Sequence, residues 1–204
     1  MDSLLSTTYF GPVQWYQKLY RSDHVYMEQH ESFIKQTYRN RCIIATTNGP
    51  LALSVPVIHE SKHESVRDIL ISSHGNWQHQ HWNAIQTAYG DSPFLMYYAD
   101  ELRPFFEKHW KYLFDFNTEI TETVCRLIDI SPDIRLTEGY VSADRLPSAT
   151  ADYREAINPK QPADDPDFEP RRYWQVFEQR YGFMPNLSVL DLLFCCGPES
   201  IYFL

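Results

Sequence analysis

The sequence has no apolar run approaching the roughly 20 residues that a membrane-crossing helix needs, so no membrane insertion is expected. It opens MDSLLSTTYFGP, with Asp2 where a secretory leader would be basic, which argues against a signal peptide. Positive charge is scarce. The 18 Lys and Arg face 27 Asp and Glu, a net charge of −9, which argues against a nucleic-acid module and against adhesion to an anionic membrane. No CxxC pair occurs, and Cys42, Cys125 and the adjacent Cys195 and Cys196 read as buried reduced thiols of a cytoplasmic protein. A glycine-rich phosphate loop, a nucleophile elbow and a dinucleotide fingerprint are all missing, and no cofactor is expected.

What is present is aromatic. The 14 Tyr and 12 Phe suit polar ligand sites and interfaces as well as cores, because such rings carry a large apolar face and, in Tyr, a polar tip. A chain of 204 residues is long enough for one domain with a substantial core, and it shows no internal repeats. Short strands are expected at 4–10 and 24–29, with a helix between them over 13–22. Two β-rich runs over 41–57 flank Asn48-Gly49, a hairpin signal, and 66–73 reads as a further strand. Helices follow over 76–89, from a Ser92 cap, from Pro104, and over 116–130, before a strand at 134–137. The polar, acidic stretch 142–170, with five prolines, is either an ordered lid or a flexible loop. Helices are expected again over 171–183 and over 186–194, the latter capped by Asn186. The whole reads as a mixed α/β domain, strands mainly in the N-terminal half, helices packed on the sheet, and a helix-rich C-terminal half.

Several polar clusters are candidates for chemistry. His59 to His63 reads HESKH and fits the zinc-protease spacing H-E-x-x-H, but Pro56 upstream and Glu64-Ser65 downstream suit a solvated loop, and no metal is expected. His79 and His81 point different ways on a helix and do not share a metal; His81, beside Trp82 on the apolar face, is either a single functional histidine or a core one. Glu28 and His30 fall at the end of a strand, as do Tyr9 and Phe10, where open α/β sheets gather ligands. Arg39-Asn40-Arg41 offers bidentate recognition of a carboxylate or phosphate, or else an exposed cluster paired with Glu28 and Glu31.

The blocks TYFGPVQWY, SDHVYMEQHESFIKQTYRNR, LALSVPV, WQHQHWNAIQTAYGDSPF and PNLSVLDLLF resemble the WbqC-like protein family across most of the chain. Many members carry acidic residues near the positions of Gln29 and His30, and the family's glycine in the opening block is not matched here. The resemblance implies a role in O-antigen or other polysaccharide synthesis, as an aminoacyl (glycine) or acyl transferase acting on an activated sugar. The partner would then be a small-molecule substrate. Under that reading Arg39, Asn40 and Arg41 hold an anionic group, and His81 or His30 is the general base, oriented by Glu28. Tyr9, Phe10, Trp15 and Trp82 line the sugar. Asp191, the lone charge in SVLDLLF, either meets solvent or is buried against an arginine. The alternative is a non-catalytic binding protein of a polysaccharide assembly system, using the same cleft without turnover.

Overall fold

The structure, a computed structural model, describes residues 1–58, 61, 63–147 and 149–204. His59 and Glu60 of the HESKH stretch lie outside the described residues.

Strand β1 (Asp2–Ser6) is buried on both faces from Ser3 onward, as central parallel strands are. It stops at Ser6. The expected continuation to Phe10 is instead a turn in which Phe10 takes φ 42°, a left-handed conformation rare for a bulky residue. Helix α1 (Val13–Arg21) follows and supplies the crossover that a parallel neighbour requires, leading into β2 (Val25–Glu28). Strands β3 (Arg41–Thr46) and β4 (Gly49–Ser54) form the expected hairpin. Thr46 pairs with Gly49, so Thr47-Asn48 make the turn, and Gly49 at φ 95° takes the left-handed position.

Strand β5 (Val57–Ile58) pairs with β6 (Leu70–Ile71), so the strand expected over 66–73 is reduced to two residues after a 3-10 turn at Val66–Asp68. Four helices come next: α2 (Trp77–Tyr89), α3 (Leu95–Leu102), α4 (Pro104–Glu107) and α5 (Leu113–Leu127). Pro104 sits at the start of α4 as expected, but Ser92 does not cap α3. Its hydroxyl donates to the Tyr89 carbonyl at 2.6 Å and closes α2 instead.

Strand β7 (Ile134–Leu136) joins the sheet beside β2, and β8 (Thr150–Asp152) joins on the other side of β1. The proline-rich stretch is therefore a structural part of the sheet, whose order is β7-β2-β1-β8 with every pairing parallel.

The helix expected over 171–183 shrinks to α6 (Glu178–Tyr181). Tyr173 and Gln175 both reach Asp191 from an extended backbone, on which residues two apart face the same way. Helix α7 (Val189–Cys196) is capped by Ser188, whose hydroxyl accepts from the Leu190 N–H. Asn186 is not the cap. At φ 56° it binds Gln14, accepting from its backbone N–H and donating to its side chain, each at 2.9 Å. Because α7 is apolar nearly all round, it is buried nearly all round, and it packs against α1, α3 and β3. The buried apolar cluster runs from Leu5 to Leu204. The protein is thus mixed α/β, with strands mainly N-terminal and helices dominating the later half. Among the described residues no helix is long and apolar enough to cross a membrane.

Candidate functional site

From β1 the chain moves to β2 on one side, and β8 later returns to the other side of β1. A parallel sheet whose connections diverge in this way opens a crevice at the carboxyl ends of its strands. Three segments meet there: Ser6-Thr7-Thr8 after β1, Glu28 to Glu31 at the end of β2, and Asp152-Tyr153-Arg154 at the end of β8. A cavity of about 280 Å³ at this end is lined by His30, Glu31, Ile34, Tyr140, Asp152, Arg154 and Glu155 among others. Next to it, sharing Arg154, is a much smaller cavity bounded by Ser6, Thr7, Thr8, Tyr38 and Arg39.

Glu28 is fully buried and ties the strand ends together. One carboxylate oxygen accepts from the His30 backbone N–H at 2.8 Å and from the Thr137 hydroxyl at 2.9 Å; the other accepts from the Val141 N–H at 2.8 Å and faces the Arg154 guanidinium at 3.4 Å. A buried carboxylate persists only with such donors around it. Glu28 therefore holds His30 through its backbone, not through its imidazole. The His30 ring places Nε2 at 3.2 Å from the Thr137 carbonyl. A carbonyl can only accept, so Nε2 carries the proton, and in the neutral ring the lone pair resides on Nδ1.

Both arginines of the crevice are already engaged. Arg39 grips Glu31 through two hydrogen bonds of 2.8 and 2.6 Å and donates to the Ser6 hydroxyl at 2.8 Å. Its expected pairing with a glutamate exists, but inside the protein, because Arg39 and Glu31 are both buried. Arg154 binds Asp152 at 2.6 to 3.2 Å and lies over the Tyr140 ring at 5.3 Å. Burial, the largest single influence, lowers the Arg154 pKa, but the Asp152 hydrogen bonds together with the charge interactions with Asp152, Tyr140 and Glu31 leave it raised.

The remaining expected residues are scattered. Asn40 donates to the Val55 carbonyl, and Arg41 turns onto the hairpin, donating to the Ser54 hydroxyl at 3.0 Å, so Arg39-Asn40-Arg41 does not form one grip. Tyr9, Phe10 and Trp15 are fully buried core residues; of the three, Trp15 borders the small cavity beside the crevice. Trp15 donates its indole N–H to the Ser6 carbonyl. Trp82 packs against Phe106 on the helical side.

His81 is buried with Nδ1 at 2.9 Å from the Tyr9 hydroxyl and a backbone hydrogen bond to Ser54, and burial pushes its pKa down to about 4. It is a neutral core histidine whose Nδ1 is engaged by Tyr9. Asp191 meets neither solvent nor an arginine. It accepts from the Tyr89 hydroxyl at 2.9 Å, the Tyr173 hydroxyl at 2.7 Å and the Gln175 amide at 2.8 Å.

Sequence reasoning passed over Arg154, Asp152 and Tyr140, because they fall in or beside the proline-rich stretch. The one local signal was the acid–base spacing of Asp152 and Arg154, two residues apart, which the structure closes as a turn with Asp152 accepting from the Arg154 backbone N–H at 3.0 Å. It also passed over the buried Lys18–Asp165 pair at 2.8 Å, reinforced by the Gln14 amide, which fastens that stretch to α1.

Residues 7–161 match the model of the WbqC-like protein family. The uncharacterized protein Rv1507c of Mycobacterium tuberculosis is 28% identical, over 82% of this chain and 81% of that one. No solved structure matches the chain. With well over half its length covered by the family, this chain belongs to the WbqC-like protein family.

Proposed function

We propose that the protein is a transferase of polysaccharide or O-antigen-type sugar biosynthesis, passing an acyl or aminoacyl (glycine) group to a sugar held in the crevice at the carboxyl ends of β1, β2 and β8. Family membership supports the pathway class. The observation that carries the chemistry is His30. It lines the 280 Å³ cavity with Nε2 committed to Thr137, leaving Nδ1 as the base that takes a proton from the acceptor. Glu28 is a positioning residue that fixes the His30 backbone. Tyr140 and Ile34, both lining the cavity and exposed, supply the apolar wall for a sugar ring. In this reading His81, Tyr9, Phe10, Trp15 and Asp191 act only by building the scaffold. The unbroken buried cluster supports treating 1–204 as one WbqC-like domain, with 142–170 as a wall of its site.

The second reading is a binding protein without turnover. It is favoured by one feature: the crevice arginines are spent on Glu31 and Asp152, which leaves few free donors to stabilise a developing oxyanion. A thermal-shift screen against nucleotide sugars, aminoacyl donors and acyl-CoAs, followed by turnover assays on the hits, separates the two. For the transferase, His30→Gln abolishes product while ligand-induced stabilisation survives. Ligand binding with no product from any donor leaves the binding protein.

A further inference from the structure

Ligand charge is the property on which the crevice departs furthest from the anion grip its arginines suggest. Around the 280 Å³ cavity stand Glu31, Asp152 and Glu155 against Arg154 alone. Adding the buried Glu28 and Arg39 behind them leaves two formal negative charges in excess. The arginine hydrogens point at carboxylates: Nε and Nη2 of Arg39 at Glu31, Nε and Nη2 of Arg154 at Asp152, and Nη1 of Arg154 at Glu28. An entering phosphate or carboxylate would find only the remaining arginine hydrogens, chiefly on Nη1 of Arg39, and would join an already acidic site. Glu155, by contrast, is 70% exposed with its carboxylate 3.7 Å from Arg39, beyond hydrogen-bond length, so it retains acceptor capacity. In the adjoining small cavity Thr8 is buried and its hydroxyl has no partner among the described residues. A buried hydroxyl is seldom left so, and its acceptor lone pairs suit a polar ligand group or a water beneath one.

We propose that the group recognised in this crevice is a primary ammonium, and that the ligand is of the amino-sugar class. The assignment rests on the crevice being the functional site, and it selects an amine over a hydroxyl or an anion as the acceptor. The ammonium is held by Glu155 and the Glu31–Asp152 carboxylates, with the ring against Tyr140. His30 Nδ1 takes one proton from it, which leaves a neutral amine with a free electron pair and an imidazolium whose Nε2–H still donates to Thr137. The cavity is close to the lower end of ligand-pocket sizes, about 300 Å³, and so suits a single sugar ring.

The test is calorimetric or NMR titration of the full chain with glucosamine, glucose, N-acetylglucosamine, glucose 1-phosphate and ethanolamine. Glucosamine is expected to bind tightest, to weaken with added salt, and to lose up to about fivefold in affinity in Glu155→Gln, the scale of a partly exposed ion pair. Equal binding of glucose or N-acetylglucosamine overturns the ammonium assignment and leaves the sugar site standing. Preference for glucose 1-phosphate overturns it too and restores the anion grip. Binding of ethanolamine without any hexose keeps the ammonium and removes the sugar reading. Binding of none of the five removes both.

Discussion

Asp191 and Glu28 are both carboxylates with no solvent exposure, yet they sit in different kinds of surroundings. Asp191 lies inside α7, and its partners are neutral: two tyrosine hydroxyls and one amide, all within the core. Burial raises its pKa, against the lowering effect of the Tyr173, Tyr89 and Gln175 hydrogen bonds. Glu28 lies at a strand end, and its donors come from the segments that follow β2, β7 and β8, including a guanidinium that borders a cavity. The two histidines divide the same way. His81 is committed to Tyr9 inside the core, whereas His30, held through Nε2 by the Thr137 carbonyl, borders a cavity. The comparison separates polar groups that specify a unique packing from polar groups that hold a surface ready for a ligand. Residue type alone does not make that separation, because burial and connectivity decide it.

If this division is right, damage to the core set costs stability and damage to the crevice costs binding. The largest effect is expected from Asp191→Ala, which removes the buried acceptor of two hydroxyls and of one amide hydrogen bond. It should lower unfolding free energy by about 4 kcal/mol in urea titrations, and Asp191→Asn by less. A loss below about 1 kcal/mol would remove Asp191 from the structural set. Arg39→Ala exposes the buried Glu31 to an unpaired state and should cost about 3 kcal/mol, with Arg39→Lys recovering part of it but not the two-point grip.

Acidification is the next largest. His81 falls from an ordinary value near 6.5 to about 4, so the unfolded chain takes up this proton before the folded one does. The contribution is fully present above pH 6.5 and is lost as pH falls toward 4. It amounts to about 2 kcal/mol between pH 7 and pH 5. Comparing urea midpoints of the native chain and His81→Leu at both pH values isolates it, and an unchanged pH dependence in the variant would refute the core assignment. Last, Arg41→Ala removes a part-exposed hydrogen bond on the hairpin. It should change stability by less than about 0.5 kcal/mol and leave ligand binding and turnover intact, in contrast to His30→Gln, which abolishes turnover.

Legibility in the sequence followed the range of the interaction. Elements defined by their own periodicity were readable: α1, α2, α5, the β3–β4 hairpin and the two strands β1 and β2 on either side of α1, though not their parallel pairing. Elements created by distant partners were not. Three-residue β8 has no pattern of its own and exists because Asp2, Ser3 and Leu4 offer it a free strand edge. The stretch 171–183 has the composition of a helix, but Asp191 draws Tyr173 and Gln175 to one side of an extended backbone. For the site, Glu28, His30 and Arg39 were picked out by their place after a strand, while Arg154 was hidden in a segment whose prolines read as loop.

The sequence by itself determined the α/β class, the family, and the presence of a charged histidine-bearing turn after the second strand. Only the tertiary structure decided which histidine is buried in the core and which borders a cavity, which arginine is buried, and that the crevice carries excess negative charge. The reason is physical: periodicity records which side of one element is apolar, whereas a site's charge is summed over residues 28, 31, 39, 152, 154 and 155. Those residues meet only after the parallel sheet has closed around β1.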